Sequence, residues 1–366
     1  MYIPQAEIAR LYVRCSPDAP QWIERATKYA IRHQGSMANQ MVYITPEDQL
    51  HHCESGWTGG MFSSEPVKSN TRFRFASVTK VFTADAVLKL ANDGKLSLDD
   101  PLIKYIPSER SAHREDVAAI TVRHLLTHSA GFDRTTLLGD SMFHLASEPW
   151  CPTEPEMLYE QELVFSPGSK ASYSNLGYCL LGLVVERASG VPFRDYMREH
   201  YQFGPERLAY VDGPYREDEV EYDLRFENFY MRNYYEKFDF QALSSAAGLS
   251  GNAVVLAEEV QRMLRREPLN LLSGNEGQDC DASEFRKCYG FALYQYRELN
   301  SSLDVYIQGG NLPGNTNMVM VDDHGGVTAW VSSGQPLRGF AQTKELYSYL
   351  YSALEEQYSV ASVQRE

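Results

Sequence analysis

The chain has 366 residues, of which 43% are hydrophobic and 23% charged, a composition typical of a globular protein with a large buried core. Its 34 Lys and Arg residues against 49 Asp and Glu residues give a formal net charge of −15, which argues against nucleic acid or an anionic membrane surface as a partner. No stretch approaches the roughly 18 apolar residues that span a bilayer. Residues 1–8 also lack the basic and apolar regions of a secretion signal. We therefore expect a cytoplasmic protein without a membrane span, or a periplasmic or secreted one if the N-terminus was trimmed, while the oligomeric state stays open.

Six cysteines are spread along the whole chain, and none forms a C-x-x-C pair. Cys179 lies within an apolar run, where a thiol behaves as a small hydrophobic side chain. For a cytoplasmic chain we expect free thiols, with a disulfide between some pair as the alternative. The six are Cys15, Cys53, Cys151, Cys179, Cys280 and Cys288.

Hydrophobic periodicity predicts helices in the middle of the chain and strands towards both ends. The first helix and a hairpin of two strands precede a long, mainly helical stretch that starts at Ser77, and four strands and a closing helix follow it. The predicted helices are 21–34, 77–90, 122–127, 175–189, 192–201, 253–265 and 342–357, and the predicted strands are 41–45, 50–57, 289–298, 303–308, 317–321 and 327–332.

Strands at both ends around a helical insert indicate the α+β class, with one antiparallel sheet built from the two chain termini and flanked by helices. The expected boundaries are residues 1–76 and 286–366 for the discontinuous α/β domain and 77–285 for the mainly helical domain. A cleft is expected where the two meet.

Ser77 is the only serine with a lysine three positions after it. This spacing, at the start of an apolar helix, sets the Ser77 hydroxyl and the Lys80 amine on one face. A serine hydroxyl is a poor nucleophile until a base takes its proton, and a desolvated lysine can be that base. The alternative for four residues alone is a helix N-cap followed by a solvated lysine.

Two further elements follow in order. Leu125-Leu126-Thr127-His128-Ser129-Ala130-Gly131 precedes a Pro-Gly turn that leads into Tyr173-Ser174-Asn175 and Gly177-Tyr178. With Ser77-Val78-Thr79-Lys80, these segments resemble the serine β-lactamase and penicillin-binding-protein superfamily. Within it they are similar to the class C β-lactamase-like branch, which also holds carboxylesterases, D-amino-acid peptidases and acyltransferases. The similarity runs from about residue 73 to 333.

This resemblance implies that Ser77 is the nucleophile and that Lys80 and Tyr173 share proton transfer to and from its hydroxyl and the leaving group. It implies that Asn175 orients Lys80 or the substrate amide. A phenol serves as a base only where positive neighbours favour the phenolate, and Lys80 is the candidate neighbour. A packed aromatic side chain is the alternative role for Tyr173.

The family's third element is a cleft-lining strand that reads Lys-Thr-Gly or His-x-Gly. Here Gln308-Gly309-Gly310 takes that place, and the resemblance implies an oxyanion hole formed by the main-chain amides of Ser77 and Asn311. Gln308 replaces a basic or ionisable residue, so a partner for a substrate carboxylate is missing and a positive charge near Tyr173 is lost. The rival segment His324–Gly326 is interpreted as a hairpin turn.

No metal site and no organic cofactor is expected. His124 and His128 stand four apart but lack a third ligand nearby. A segment rich in Tyr and Phe is more typical of core packing, although aromatic side chains at the edge of a cleft would suit an apolar or acyl-bearing substrate. Its members are Tyr222, Phe226, Phe229, Tyr230, Tyr234, Tyr235, Phe238 and Phe240.

The resulting hypothesis is a serine hydrolase that forms a Ser77 acyl-enzyme with a small-molecule or peptide-like acyl substrate. Ester or amide cleavage, of the carboxylesterase or D-amino-acid peptidase type, is the first alternative. β-Lactamase or DD-carboxypeptidase activity ranks second because of Gln308 and the missing export signal. Acyl transfer from the same intermediate and a receptor or scaffold without turnover are the remaining alternatives.

Overall fold

An eight-stranded antiparallel sheet carries one side of the site and is built from both ends of the chain. The computed structural model describes residues 2–110, 114–134, 140–143, 148–213, 215–222, 238–276, 280–334 and 339–363. The strands are β1 (Arg14–Cys15), β2 (Ala38–Ile44), β3 (Leu50–Gly56), β7 (Cys288–Tyr289), β8 (Tyr294–Tyr296), β9 (Val305–Leu312), β10 (Asn315–Asp322) and β11 (Val327–Ser333). Their order across the sheet is β1-β3-β2-β11-β10-β9-β8-β7.

The centre of this sheet joins the two chain ends. β11 pairs with β2 from Val327 opposite Ile44 to Ser333 opposite Ala38. β10 and β11 form a hairpin whose turn contains the predicted His324–Gly326 segment. The expected α+β class and the antiparallel sheet from both termini are therefore confirmed, whereas the domain boundaries stay a prediction.

Helices cover both faces of the sheet. The helices are α1 (Tyr2–Leu11), α2 (Gln21–Gln34), α3 (Thr79–Asn92), α4 (Glu115–Ala118), α5 (Val122–Leu126), α6 (Asn175–Ser189), α7 (Phe193–His200), α8 (Ala253–Leu264) and α9 (Phe340–Val363). On one face α2 and α9 bury a cluster around Trp22, Trp330 and Tyr351. On the other face α8 and the helical region bury the larger core, which includes Phe82, Leu180 and Val319. Burial of these apolar side chains is the main stabilising contribution.

Local signals fix the ends of the helices nearest the site. Ser174 is the N-cap of α6, and its side chain accepts the Gly177 N–H at 3.1 Å. The same helix ends at Gly190, which adopts the left-handed conformation that glycine allows at little cost. α3 and α6 pack against each other, so Lys80 near the start of α3 and Asn175 at the start of α6 come together.

The sequence predicted α2 and α6 with their observed limits, and α5, α7 and α8 within about a residue at each end. It missed α1, α4, β1 and a second sheet in the helical region, formed by β4 (Phe73–Arg74), β6 (Leu249–Gly251) and β5 (Ala209–Tyr210). These strands have only two or three residues, too few for an alternating pattern to be recognised. The predicted strand 289–298 is two short strands, β7 and β8, separated by a turn.

The expectation of free thiols is wrong, because all six cysteines form disulfides. Cys15 and Cys53 lie opposite each other on β1 and β3. The other bridges join Cys151 to Cys179 and Cys280 to Cys288. The partners are 38, 28 and 8 residues apart, so motif spacing gave no sign of them; the even number of cysteines was the one available signal.

Among the described helices, none is by itself long and apolar enough to cross a membrane. Only α6 together with α7, which are bent by 76° at the break between them, reach the required length and composition.

Candidate active site

Ser77 lies in a tight turn between β4 and α3. Residues Ala76–Val78 form a single turn of 3-10 helix, and Ala76 has a positive φ of 48°, a conformation that costs energy for a residue with a Cβ. Ala76 and Val78 are fully buried, whereas Ser77 is partly exposed. The turn therefore presents the serine hydroxyl to a pocket while its neighbours anchor the backbone in the core.

Lys80 is fully buried beneath Ser77. Its Nζ lies 3.4 Å from Ser77 Oγ and donates to Asn175 Oδ1 at 2.6 Å and to the Ala246 carbonyl at 2.8 Å. The predicted placement of the Ser77 hydroxyl and the Lys80 amine on one face is thus observed.

Burial holds the pKa of Lys80 well below its usual value; the negative charge of Asp140 opposes this effect and the positive charge of Arg134 adds to it. A neutral amine has two N–H groups and one lone pair. The Asn175 and Ala246 oxygens use the two N–H groups, so the lone pair is left for the Ser77 hydroxyl. When the amine takes the serine proton, the resulting ammonium has three oxygen acceptors around it.

Asn175 is held by a residue that the sequence did not indicate. Its Nδ2 donates to Asp140 Oδ2 at 2.6 Å while its Oδ1 accepts from Lys80. Because the carboxylate can only accept, this contact fixes which end of the Asn175 amide faces the lysine. A chain of contacts therefore runs from Asp140 through Asn175 and Lys80 to Ser77.

Tyr173 closes the other side of Ser77. Its hydroxyl lies beside the side chains of Ser77 and Gln308, and its ring packs 4.3 Å from that of His128, centroid to centroid. Burial raises the pKa of Tyr173 to about 12, although the Ser77 side chain and the positive charge of Arg134 act in the opposite direction. The phenol is therefore protonated near neutral pH and suited to donate a proton.

His128 supports the Tyr173 segment and is not arranged as a metal ligand. Its Nδ1 accepts the backbone N–H of Ser174 at 3.2 Å. Burial lowers the pKa of His128 well below its usual value, so the ring is neutral near pH 7. Within the described part of the chain, no group of three or more His, Cys, Asp or Glu side chains could hold a metal ion.

Strand β9 forms the third wall. A Cβ placed on Gly310 would lie 2.4 Å from the Phe75 carbonyl oxygen and 3.2 Å from the Ser77 nitrogen, so only glycine lets the strand pass this close to the serine turn. β8 pairs with β9 only as far as Ile307. The outer edge of β9 beyond that residue, including Gly309 and Asn311, therefore borders the pocket.

Gln308 is buried and its amide is directed inward. Its Nε2 donates to the Ser77 carbonyl at 3.3 Å and to the Gly309 carbonyl at 2.9 Å. The residue thus joins β9 to the serine turn, a role that its place in the sequence motif did not reveal.

A pocket of about 250 Å³ opens beside Ser77. All the candidate site residues lie at this pocket or directly beneath it. The two arginines and most of the aromatic walls were not predicted from the sequence. The residues lining the pocket are Ser77, Arg134, Tyr173, Phe285, Arg286, Tyr294, Tyr296, Ile307, Gln308, Gly309, Asn311 and Tyr347. Arg134 follows the Leu125–Gly131 motif by three residues, whereas Phe285 and Arg286 lie in a segment without any pattern.

The aromatic segment predicted at the cleft edge is only partly described. Tyr222, Phe238 and Phe240 are buried in the larger core. The other five members, from Phe226 to Tyr235, lie outside the described residues.

This combination of fold and site is that of a serine hydrolase of the acyl-enzyme type, and comparison with known proteins identifies the family. A sequence profile described as β-lactamase matches residues 31–201. The probable fimbrial assembly protein FimD, serogroup H1, from Dichelobacter nodosus is 36% identical over 357 residues, which are 97% of this chain and 89% of that protein. The chain belongs to the serine β-lactamase and penicillin-binding-protein superfamily of serine hydrolases.

Solved structures share the fold at lower identity. The D-amino acid amidase from Ochrobactrum anthropi SV3 is 20% identical with a TM-score of 0.69, and the match covers 92% of this chain and 99% of the amidase. A β-lactamase/D-alanine carboxypeptidase from Yersinia pestis, complexed with citrate, is 19% identical with a TM-score of 0.70 over 91% of this chain and 98% of that enzyme. These likenesses concern the fold and leave the substrate open.

Proposed function

We propose that this protein hydrolyses an ester or an amide bond, of the carboxylesterase or D-amino-acid peptidase type, through an acyl-enzyme on Ser77. The observation that carries the proposal is the arrangement around Lys80: two acceptors for its N–H groups, at 2.6 and 2.8 Å, and the Ser77 hydroxyl at 3.4 Å. A buried, neutral Lys80 takes the serine proton as the hydroxyl attacks the substrate carbonyl.

The remaining groups fit the later steps. Protonated Tyr173 donates to the departing alcohol or amine, and Lys80 returns the proton that Tyr173 has lost. The main-chain N–H groups of Ser77 and Asn311 are proposed to bind the oxyanion, a contribution of about 3 to 4 kcal/mol to the transition state in comparable sites. Water then attacks the acyl-enzyme with the same groups acting in the reverse order.

The test uses three substrate classes and the mass of the protein. The intact protein and Ser77→Ala are incubated with short p-nitrophenyl esters, a D-Ala-D-Ala peptide and a chromogenic cephalosporin, while turnover and mass at Ser77 are followed. We expect ester turnover that disappears in Ser77→Ala, whereas turnover of the D-Ala-D-Ala peptide would favour a DD-carboxypeptidase. Cephalosporin turnover alone would favour a β-lactamase, product formed only with an added amine would favour an acyltransferase, and labelling without turnover would favour a receptor. The absence of both turnover and label on Ser77 would refute the acyl-enzyme.

We further propose that the protein works in an oxidising compartment, in place of the cytoplasm expected from the sequence. The pairing of all six cysteines supports this, since stable disulfides are rare where thiols are kept reduced. Fractionation of the native host followed by mass analysis of the unreduced protein tests it, and free thiols on the native protein would contradict it.

A second, wider function is favoured by the likeness to the D. nodosus proteins described as fimbrial assembly proteins, which extends over 97% of this chain. Under this proposal the hydrolase serves the assembly of surface fimbriae. Replacement of the chromosomal copy by one encoding Ser77→Ala, compared with a deletion, would decide the point. Loss of fimbriae in both strains supports a need for hydrolysis, loss in the deletion alone indicates a scaffold, and normal fimbriae in both refute the link.

A further inference from the structure

The segment between Cys280 and Cys288 forms part of the wall of the active-site pocket. Phe285 lies in this segment and lines the pocket together with Tyr296 and Tyr347. The Phe285 ring stacks on that of Tyr296, with the ring centroids 3.8 Å apart, and lies 6.1 Å from the ring of Tyr347. We call these three rings the aromatic wall. It offers an apolar contact to a substrate in the pocket.

Regular structure holds two of the three rings in place. Tyr296 is the last residue of β8 and pairs with Val305 on β9. Tyr347 lies in helix α9, where it belongs to the core beneath the sheet. Phe285 is the one member of the aromatic wall that lies outside a helix or strand. The position of its ring therefore depends on what holds residues 280–288.

Residues 281–287 form a series of turns. The Arg297 N–H donates to the Ala282 carbonyl at 3.0 Å and so links the segment to the end of β8. Directly after Phe285, Arg286 has a positive φ of 67°, which costs energy for a residue with a Cβ. Such a conformation persists where the surrounding structure imposes it.

The Cys280–Cys288 disulfide closes this segment. Cys288 is buried in β7 and pairs with Gln295 on β8, so that end of the segment is fixed in the sheet. The bridge ties Cys280 to the same place, and its partners are 8 residues apart. Phe285 lies inside the loop that the bridge closes. The aromatic wall is therefore under direct covalent control.

This bridge is also the one that solvent reaches most readily. All six cysteines lie in the described part of the chain. Cys53, Cys151 and Cys179 are buried, and Cys15 is partly buried. Cys280 alone is exposed. Because thiol–disulfide exchange requires access to a sulfur atom, a reductant should open the Cys280–Cys288 bridge before the other two.

We propose that the Cys280–Cys288 bridge is a redox-sensitive device that controls substrate binding, and this proposal rests on the serine hydrolase function given above. With the bridge closed, Phe285 stacks on Tyr296 and the pocket binds a substrate that carries an aromatic group. With the bridge open, the segment leaves the aromatic wall and this contact is lost. Ser77 and Lys80 lie outside the segment, so the chemical step is affected far less than binding.

A dithiol is the reductant that opens the bridge. One of its thiolates attacks the Cys280 sulfur, the S–S bond breaks, and Cys288 leaves as a thiolate that takes up a proton. The second thiolate of the reductant then attacks the mixed disulfide and releases Cys280, which also takes up a proton. The bridge gains two electrons and two protons, and the dithiol becomes a disulfide.

Selective reduction of the folded protein tests the proposal. The protein is treated with dilute dithiothreitol, trapped with iodoacetamide and desalted, and peptide masses identify the sample in which Cys280 and Cys288 alone are alkylated. 4-Nitrophenyl phenylacetate carries a ring on each side of its ester bond, whereas ethyl acetate, followed by pH-stat, carries none. We expect the KM of the first to rise by about fivefold, the value of one aromatic contact. Its kcat and the KM of ethyl acetate should stay within about twofold.

Three variants separate the ring from the bridge. Phe285→Ala should show the same rise in KM with the bridge closed, and reduction should then add no further rise, because both changes remove one contact. Cys280→Ser/Cys288→Ser should behave as the reduced protein and no longer respond to dithiothreitol. Phe62→Ala removes an aromatic residue that is 65% exposed and does not line the pocket, so it should leave KM unchanged. Reoxidation of a reduced sample that was not alkylated should restore the original KM.

Two measurements in Ser77→Ala need no turnover. Hydrogen exchange of the Arg297 amide, which donates to the Ala282 carbonyl, should speed up when the bridge opens, and the Kd of N-benzyl phenylacetamide should rise by about fivefold. Earlier reduction of another bridge, or an unchanged KM and Kd once Cys280 and Cys288 are alkylated, would overturn the proposal. Faster exchange and weaker binding in a protein that hydrolyses no ester would instead refute the hydrolase and leave the control of the pocket by the bridge in place.

Discussion

Removal of the negative charge of Asp140 should alter the proton affinity of Lys80. The Asp140 carboxylate and the Lys80 amine are linked by two contacts of 2.6 Å to the opposite ends of the Asn175 amide. They are therefore no more than roughly 7 Å apart, and at an effective dielectric constant of about 20 this separation gives an attraction of about 2 kcal/mol. That is more than a tenfold effect on the affinity of the amine for its proton.

The sign of the effect follows from this attraction. The charge of Asp140 raises the pKa of Lys80 against the larger effect of burial, so Asp140→Asn should lower that pKa further. Activity requires the neutral amine, so the acid limb of kcat/KM should move to lower pH in Asp140→Asn. The asparagine carbonyl can still accept the hydrogen bond from Asn175, so the plateau should fall only modestly.

Asp140→Ala separates the charge from the hydrogen bond. It shifts the acid limb in the same direction, and it also leaves the Asn175 amide free to rotate. We expect its plateau to fall by about fivefold more than that of Asp140→Asn, because the Asn variant keeps one neutral hydrogen bond, worth about 1 kcal/mol, that the Ala variant lacks.

The assay is kcat/KM for a p-nitrophenyl ester, extrapolated to zero buffer, between roughly pH 5 and 10. This range covers the pH values at which buried lysines titrate. Asp195→Asn, which removes an exposed carboxylate on α7, is the matched control and should reproduce the profile of the unmodified protein. Profiles of both Asp140 variants that superimpose on that of the unmodified protein, with kcat/KM within about twofold, would refute a role for Asp140 in setting Lys80.

Three further changes test other parts of the site and fold. Tyr173→Phe removes the proposed proton donor, so kcat/KM for an amide should fall by about 100-fold or more. A p-nitrophenyl ester should be affected far less, because its leaving group needs no proton. In the unmodified protein we expect kcat/KM to stay level at alkaline pH until the pH approaches the Tyr173 pKa of about 12. Gly310→Ala should displace β9 from Ser77 and lower kcat for the ester by about 100-fold, the cost of one lost oxyanion contact. The double change Cys151→Ala/Cys179→Ala opens a bridge between residues 28 apart and should lower the free energy of unfolding in urea by about 3 kcal/mol.

A specific experimental result would contradict each of these three predictions. Equal losses for amide and ester in Tyr173→Phe would mean that the phenol acts before the leaving group departs. A Gly310→Ala protein with kcat within about threefold of normal would contradict the close passage of β9 by the serine turn. Removal of the Cys280–Cys288 bridge, whose partners are 8 residues apart, is the control for the disulfide and should cost less stability, because the loop it closes is shorter.

The sequence predicted best the elements in which a periodic apolar pattern runs over many residues or in which a clear capping residue marks the end. Helix α6 was predicted from Asn175 to Ser189 by its apolar periodicity, and in the structure Ser174 caps its start and Gly190 ends it. The longer strands of the large sheet could be predicted from their apolar runs and the turn residues between them alone. The three short strands around Phe73, Tyr210 and Leu249 could not be predicted, since their pairing depends on contacts between distant segments.

The residues of the site also fall into those that a sequence pattern predicts and those that only the fold brings together. Ser77, Lys80, Tyr173 and Asn175 stand in motifs with fixed spacing, so their proximity could be predicted before any coordinates. Asp140 and the two pocket arginines come from loops without periodicity, and only the folded chain brings them to the motifs. The disulfides were missed for the same reason, because their partners meet through the fold and not through spacing.

The distribution of charge around Ser77 also assigns the proton roles more sharply than the motifs did. A positive residue at position 308 would favour a phenolate at Tyr173 and make it a candidate base. With Gln308 neutral, burial dominates and the pKa of Tyr173 rises to about 12, while burial lowers the pKa of Lys80. The pKa of Tyr173 rises and that of Lys80 falls, which supports the proposal that Lys80 accepts the serine proton and that Tyr173 donates a proton to the leaving group. The glutamine at position 308 thus removes one anion partner from β9 and, in the proposed mechanism, makes Lys80 rather than Tyr173 the base of the site.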